Sequence, residues 1–108
     1  TVTDDSAQAP GLNVYFFDAD PTNSTFTDNA VLSIHATDWA MCVGAIVLEA
    51  ADYVTPDGNH RILTQKAIGL ELGTSDTGDL WVVFQTIGAP NFDDTDNLTI
   101  RMNVVPSA

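Results

Sequence analysis

The feature that most constrains the fold is a two-residue alternation of apolar side chains in three short segments. Apolar residues recur at every second position in residues 12–16 and 80–84, and residues 98–104 alternate apolar with polar residues. A β-strand places every second side chain on the same face, so this period is typical of strands. The pattern predicts three strands.

Two further segments extend the β pattern. Residues 43–48 are continuously apolar, which predicts a strand buried on both faces. Residues 62–72 predict one long or broken strand with Gly69 as a bulge, and residues 2–4 are typical of the tail of an earlier strand. Turn sequences rich in proline, glycine, aspartate and asparagine separate these segments.

One helical signal is present, in residues 36–42, where Thr37 is a suitable N-cap for a single turn. Several short strands with turns between them favour an all-β fold, an antiparallel β-sandwich or jelly roll, with at most this one short helical turn. A chain of 108 residues is long enough for one core but not for two. We therefore expect residues 1–108 to form a single β-sandwich domain.

The charge of the chain argues against one class of partner. Fifteen acidic residues stand against three basic ones, which gives a formal net charge of −12. Affinity for nucleic acid depends on lysine and arginine at the phosphates, so we expect no nucleic-acid partner. Most of the acids are aspartates, which favour turns, so the charge is expected in solvated loops. No apolar run has the length that spans a bilayer, and we expect no membrane partner.

The acidic loops raise the question of a calcium site. Asp18 and Asp20 begin like an oxygen-ligand loop, but Asn23 stands where an EF-hand needs glycine and Asn29 where it needs a bidentate glutamate. An irregular site would have to combine two loops. Its ligands would be Asp18, Asp20, Asp93, Asp94 and Asp96. The alternative is that these are solvated turn residues without a metal.

No pattern indicates catalysis. His35, Cys42 and His60 lack the spacings of metal sites and are accompanied by no G-x-S-x-G motif. The carboxylates crowd in loops, without the signs of a sugar-sized cleft that glycoside cleavage requires. The single cysteine cannot form an internal disulfide. We therefore expect a protein that is not an enzyme and that holds no cofactor, calcium being the one alternative.

Aromatic side chains are candidates for contacts with a partner. Trp81 is out of phase with Leu80 and Val82, so it faces the other side of its strand. It either packs between two sheets or anchors an interface. The candidate interface anchors are Trp81, Tyr53, Phe92 and Arg101.

A series of short motifs has a recognisable order along residues 13–102. The motifs are VYFFD (14–18), TDNA (27–30), DWAMCVGAI (38–46), IGL (68–70), LWVV (80–83), TIGAP (86–90) and LTIR (98–101). This order resembles a family of small structural proteins of tailed bacteriophages that decorate or cement the head shell. The resemblance implies a β-sandwich without catalytic residues or cofactor, located on the outer surface of the capsid in the virion.

The partner that the resemblance implies is the major capsid protein, whose lattice the chain would bind and stabilise. Edge strands would also allow self-association as a trimer or dimer. Members of the family carry further strands upstream, which leaves open whether the first strand of the sandwich is present. The two acidic loops, with Trp39 and Trp81, favour an alternative: a calcium-assisted carbohydrate-binding β-sandwich module on a phage fibre or cell surface.

Overall fold

The computed structural model describes residues 1–26, 32–64, 78–88, 90 and 98–102. Within these ranges the backbone forms short strands, a single turn of α-helix and one 3-10 turn. The strands are β1 (Val2–Asp4), β2 (Gly11–Phe17), β3 (Cys42–Leu48), β4 (Arg61–Leu63), β5 (Trp81–Ile87) and β6 (Leu98–Ile100); the helix is α1 (Ala36–Trp39) and the 3-10 turn is Ala50–Asp52. The all-β fold class, with at most one short helical turn, is confirmed.

The strands form two antiparallel sheets of three strands each, with the orders β4-β1-β6 and β3-β2-β5. The chain divides into two compact units, each built on one of these sheets. Unit 1 comprises Thr1–Gly11, Glu49–Ile68 and Ile87–Ala108, and unit 2 comprises Leu12–Leu48 and Gly69–Thr86. That residues 1–108 form one sandwich domain stays a prediction.

In unit 1, β1 is the central strand rather than the tail that the sequence predicted. Val2 lies opposite Leu63 on β4 and opposite Ile100 on β6. Val2 and Leu63 are both buried. These apolar side chains meet only through pairing between distant segments, so the core of this unit depends on the sheet register.

The turn that follows β1 is organised by a buried carboxylate. Asp4 is 0% exposed, and its Oδ1 accepts hydrogen bonds from the backbone N–H of Ser6 (2.9 Å) and from the Ser6 hydroxyl (3.0 Å). Its Oδ2 accepts the N–H of Ala9 at 2.5 Å. Ala7 and Ala9 have φ values of 57° and 46°, in the left-handed region that costs a non-glycine residue energy. The Asp4 bonds therefore hold a strained turn.

In unit 2, β2 is central, and its alternation separates two faces. Leu12, Val14 and Phe16 are buried on one face, as the period of residues 12–16 predicted. Asn13 and Tyr15 lie on the other face, opposite Val47 and Ala45 of β3. The register shifts between Phe16 and Phe17, where Phe17 pairs with Cys42, and Phe17 is also fully buried.

Two local predictions were wrong. β3 is not buried on both faces, because Val47 is 57% exposed. An apolar segment favours strand formation, but burial of both faces also requires other elements to pack on each of them. Thr37 does not cap the helix, because it lies inside α1, whereas His35 has the extended backbone of an N-cap and its Nδ1 accepts the Thr37 N–H at 3.1 Å.

The other predicted strands are found with shorter or shifted bounds. Residues 80–84 correspond to β5, which extends to Ile87. Residues 98–104 correspond to β6, which ends at Ile100. Of the long strand predicted for residues 62–72, the structure shows β4, and the proposed bulge at Gly69 lies outside the described residues.

Candidate functional site

The sheet of unit 2 is built from strands that carry no charged residue. β2 reads GLNVYFF, β3 reads CVGAIVL and β5 reads WVVFQTI. The chain as a whole has fifteen acidic residues, so its charge lies outside these three strands. Charged side chains are depleted at the centres of protein interfaces, because desolvating them costs free energy. The outward face of this sheet is therefore an uncharged surface on a strongly acidic chain.

One side of this sheet, here called the Tyr15 face, is defined by Asn13, Tyr15, Ala45, Val47 and Gln85. Asn13 Nδ2 donates a hydrogen bond to Gln85 Oε1 at 3.1 Å, and the Tyr15 hydroxyl donates to the same oxygen at 3.0 Å. The Gln85 oxygen is thereby fixed by two donors. Its amide nitrogen carries two N–H groups, which are hydrogen-bond donors.

Trp39 of α1 stands beside the Tyr15 face. Its ring centroid lies 5.2 Å from that of Tyr15 at an interplanar angle of 81°, and 6.0 Å from that of Phe17 at 35°. Edge-to-face pairs of this kind are favourable. Phe17 is fully buried while Trp39 stays 41% exposed. The indole therefore packs on the aromatic residues of β2 and still presents surface to solvent.

The position of Trp39 depends on its neighbour Asp38, which is 0% exposed. Asp38 Oδ2 accepts a hydrogen bond from the Ser24 hydroxyl at 2.5 Å, and Oδ1 accepts one from Asn23 Nδ2 at 3.3 Å. The Ser24 oxygen in turn accepts the backbone N–H of His35 at 3.1 Å. This network ties the loop after β2 to the helix that carries Trp39.

The same network contains a serine, a histidine and an aspartate, but not in the arrangement of a catalytic triad. The Ser24 hydroxyl donates directly to Asp38, and the imidazole Nδ1 of His35 accepts a backbone N–H. A nucleophilic serine needs the imidazole as its proton acceptor. The contacts of these three side chains thus serve local structure.

The structure describes two of the five residues predicted for a calcium site. Asp18 is half-buried and Asp20 is exposed, and both lie in the loop after β2. Asp93, Asp94 and Asp96 lie outside the described residues. Within the described part of the chain, no three or more His, Cys, Asp or Glu side chains form a group that could hold a metal ion. The calcium site stays a prediction.

The four predicted interface anchors fall in different places. Trp81 is half-buried on β5 and, four positions from Gln85, lies on the same side of that strand. Tyr53 and the exposed Arg101 belong to unit 1. Phe92 lies outside the described residues. All four stay predictions, and Trp81 is the one that joins the Tyr15 face.

Tyr53 already uses its hydroxyl inside unit 1. The hydroxyl donates to the backbone oxygen of Pro10 at 2.7 Å. Burial, and secondly the charge of Asp4, raise the pKa of Tyr53 to about 12. This phenol therefore stays protonated and contributes to the stability of the turn after β1.

The residues of the Tyr15 face were absent from the candidates that the sequence suggested. The signal for Asn13 and Tyr15 was present, because they occupy the alternate positions of a strand whose other positions are buried. Nothing in the sequence indicates that Gln85, 70 positions from Tyr15, lies beside it. That neighbourhood follows from the pairing of β5 with β2.

Comparison with protein-family models, with curated proteins and with solved structures finds no match to this chain. Among the described residues, no helix has the length and apolar content that a membrane crossing requires.

Proposed function

We propose that this chain is a structural protein that binds the outer face of a tailed-phage capsid lattice and stabilises the shell, as a decoration protein does. The observation that carries the proposal is the uncharged sheet of unit 2 on a chain of net charge −12. The uncharged sheet can lose its water at low cost in free energy when it binds a partner, while the acidic loops remain solvated. The motif order in residues 13–102 gives the second argument.

The Tyr15 face is the docking surface in this proposal. Trp39 and Val47 are 41% and 57% exposed, and both would lose water on contact with an apolar seam of the lattice. A few such anchors supply most of the affinity of an interface. Repulsion between the acidic loops opposes non-specific association of free copies. Self-association as a trimer or dimer through edge strands stays a prediction.

Two exposed valines provide a matched test of the docking face. Val47 lies on the Tyr15 face, whereas Val54, which is 66% exposed, belongs to unit 1. Purified shells that lack the chain are mixed with the wild-type chain, with Val47→Asp or with Val54→Asp, and the bound fraction is measured by sedimentation. A buried unpaired carboxylate costs several kcal/mol, so Val47→Asp should bind about 100-fold more weakly or worse. Val54→Asp should bind like the wild type.

The possible outcomes distinguish a wrong docking surface from a wrong function. If the wild-type chain binds shells and both aspartate variants bind equally well, the Tyr15 face is not the docking surface. If the wild-type chain does not bind shells, the proposed function itself is wrong. Thermal unfolding of both variants is the control for folding.

A second candidate function is carbohydrate recognition on the same face. It is favoured by the amide nitrogen of Gln85 beside the Tyr15–Trp39 pair, because sugars stack on aromatic rings and bond to amides. The net charge of −12 favours a neutral sugar over an acidic one. A glycan array probed with the wild-type chain and with Gln85→Ala tests it, and signals that are absent or equal for both proteins reject it. A melting temperature that does not rise with millimolar calcium would reject the calcium-assisted form.

A further inference from the structure

The turn before β4 contains an aspartate that is followed directly by a glycine, Asp57 and Gly58. No other aspartate or asparagine of the sequence precedes a glycine. In such a pair the backbone nitrogen of the glycine can attack the carboxyl carbon of the aspartate side chain, because glycine has no side chain that obstructs the approach. The product is a cyclic succinimide. Water opens it mainly to isoaspartate, in which the side-chain carboxyl group has become part of the main chain.

Both residues of the pair are accessible in the structure. The Asp57 side chain is 54% exposed, and a Cβ placed on Gly58 would meet no atom within 4 Å. Backbone hydrogen bonds between Val54 and Ile62, of 2.6 and 2.9 Å, close the loop that contains the pair. Water therefore reaches the pair, while the ends of its loop are held in place.

The carboxyl group of Asp57 is surrounded by donors that suit this reaction. Oδ1 accepts the backbone N–H of Asn59 at 2.8 Å and that of His60 at 3.0 Å. Attack on the carboxyl carbon places negative charge on one oxygen, and two such N–H groups stabilise it as an oxyanion hole does. The other oxygen must leave as water. His60 Nδ1 lies 2.9 Å from Oδ2, close enough to supply a proton to it.

The charges around the pair favour the same reaction. The N–H of Asn59 first, and then the bond from His60, lower the pKa of Asp57, so its oxygen cannot leave without a proton from another group. The bond to Asp57 raises the pKa of His60, which favours the protonated imidazole. Arg61 Nη1 donates to the backbone oxygen of Asp57 at 3.1 Å. This carbonyl belongs to the peptide bond of Gly58, and a cation on it makes the Gly58 N–H more acidic.

We propose that Asp57 is a site of self-catalysed isoaspartate formation, with Gly58 as the nucleophile and His60 as the proton donor. A bond forms between the Gly58 nitrogen and Asp57 Cγ, and the bond from Cγ to Oδ2 breaks. Oδ2 leaves as water with the proton of the Gly58 amide, carried by solvent, and one proton from His60. Hydrolysis of the succinimide consumes one water and returns a proton to His60, so no other reactant is needed.

Isoaspartate lengthens the main chain by one carbon and moves the free carboxylate, so the bonds to the Asn59 and His60 N–H groups are lost. The turn before β4 therefore changes irreversibly as the molecule ages. The proposal is independent of the capsid function, because the turn belongs to unit 1 and contributes nothing to the Tyr15 face.

The test is incubation of the folded full chain in heavy-oxygen water at neutral pH, followed by digestion in ordinary water and mass spectrometry of the peptides. Each hydrolysis of the succinimide inserts one heavy oxygen atom, which marks the residue that reacted. We expect the label at Asp57 before any other aspartate. An isoaspartyl methyltransferase assay on the labelled peptide identifies the isomer.

Three variants then assign the roles. Gly58 has no positive φ and open space beside it, so Gly58→Ala should keep the fold. The added Cβ should slow labelling by about 5-fold or more. His60→Ala should slow it by about 10-fold or more, and imidazole in the solution should restore part of the rate, because this position is exposed. Imidazole should not restore the rate of Gly58→Ala. His35→Gln removes the other imidazole of the chain and should be labelled like the wild type.

Three results would overturn the proposal. The first is that the folded wild-type chain acquires no label at Asp57. The second is that Gly58→Ala is labelled as fast as the wild type, because the attack would then not depend on the glycine. The third is that His60→Ala is labelled as fast as the wild type, because the reaction would then not be self-catalysed. Thermal unfolding of each variant shows whether its rate belongs to the folded chain.

Discussion

Replacing Asp38 by alanine should destabilise unit 2 more than any charge removal on its surface. Asp38 is fully buried and accepts hydrogen bonds from the Ser24 hydroxyl and the Asn23 amide. A hydrogen bond to a charged group contributes about 1.5–3 kcal/mol. The Ser24 hydroxyl lies within hydrogen-bond distance of the carboxylate, whereas the Asn23 bond, at 3.3 Å, is longer than the usual range. Most of the effect should therefore come from Ser24.

We expect Asp38→Ala to lower the free energy of unfolding by about 3 kcal/mol. For a chain of this size each kcal/mol corresponds to about 4–8 °C, so the melting temperature should fall by roughly 12–24 °C. Asp20→Asn, at an exposed position of the same loop, should change the unfolding free energy by less than about 0.5 kcal/mol.

The assay is urea unfolding followed by tryptophan fluorescence, applied to Ser24→Ala, Asp38→Ala and the double variant. A double-mutant cycle isolates the energy of the contact from the other effects of each change. We expect a coupling energy of about 1.5–2 kcal/mol between Ser24 and Asp38. If the losses of unfolding free energy in Ser24→Ala and Asp38→Ala simply add in the double variant, the reasoning is refuted, because the hydrogen bond between loop and helix would then contribute nothing to stability.

Three further changes test other contacts. Trp39→Ala should lower the free energy of unfolding by about 2 kcal/mol, because loss of the indole exposes Phe17 to water. This is about half the cost of removing a fully buried tryptophan, since Trp39 is partly exposed. A urea midpoint equal to that of the wild type would contradict this. Tyr53→Phe should cost about 1 kcal/mol through loss of the bond to Pro10. The pKa of Tyr53 is raised to about 12 in the folded state and lies near 10 in the unfolded state. The stabilisation by this phenol should therefore be complete below about pH 10 and be lost as the pH rises through about 12. Alkaline unfolding curves should show this loss for the wild type but not for Tyr53→Phe. Asp4→Ala removes the acceptor of three hydrogen bonds in the turn after β1 and should cost about 3 kcal/mol or more by thermal unfolding; a loss under 1 kcal/mol would show that other contacts hold the turn.

The alternation of apolar residues was sufficient to predict which side of β2 is buried, because period and burial are linked by strand geometry alone. The same rule places Asn13 and Tyr15 on the outward side. For β3 the alternation rule could not predict which face is exposed, because every residue of an uninterrupted apolar run looks alike and no polar positions mark the solvent side. Val47 is exposed there because its neighbours on β2 are the outward-facing ones.

The roles of individual aspartates depend on neighbours that only the fold supplies. Aspartate is a turn residue by composition, and the sequence therefore predicted solvated charge. Asp4 and Asp38 are instead fully buried, where they accept hydrogen bonds from nearby backbone or side chains. The approach of Asp5 to His60 is likewise invisible to motif spacing, because it follows from the antiparallel pairing of β1 with β4.

The measurement that tests the central claim most directly is the copy number of this chain in purified particles of a phage that encodes it. Quantitative mass spectrometry gives the ratio of the chain to the major capsid protein. A decoration protein should occur at a fixed ratio close to the number of lattice sites, and mild removal of the chain should leave shells that break at lower temperature. Particles that contain none of the chain, or only a few copies, would contradict the proposal.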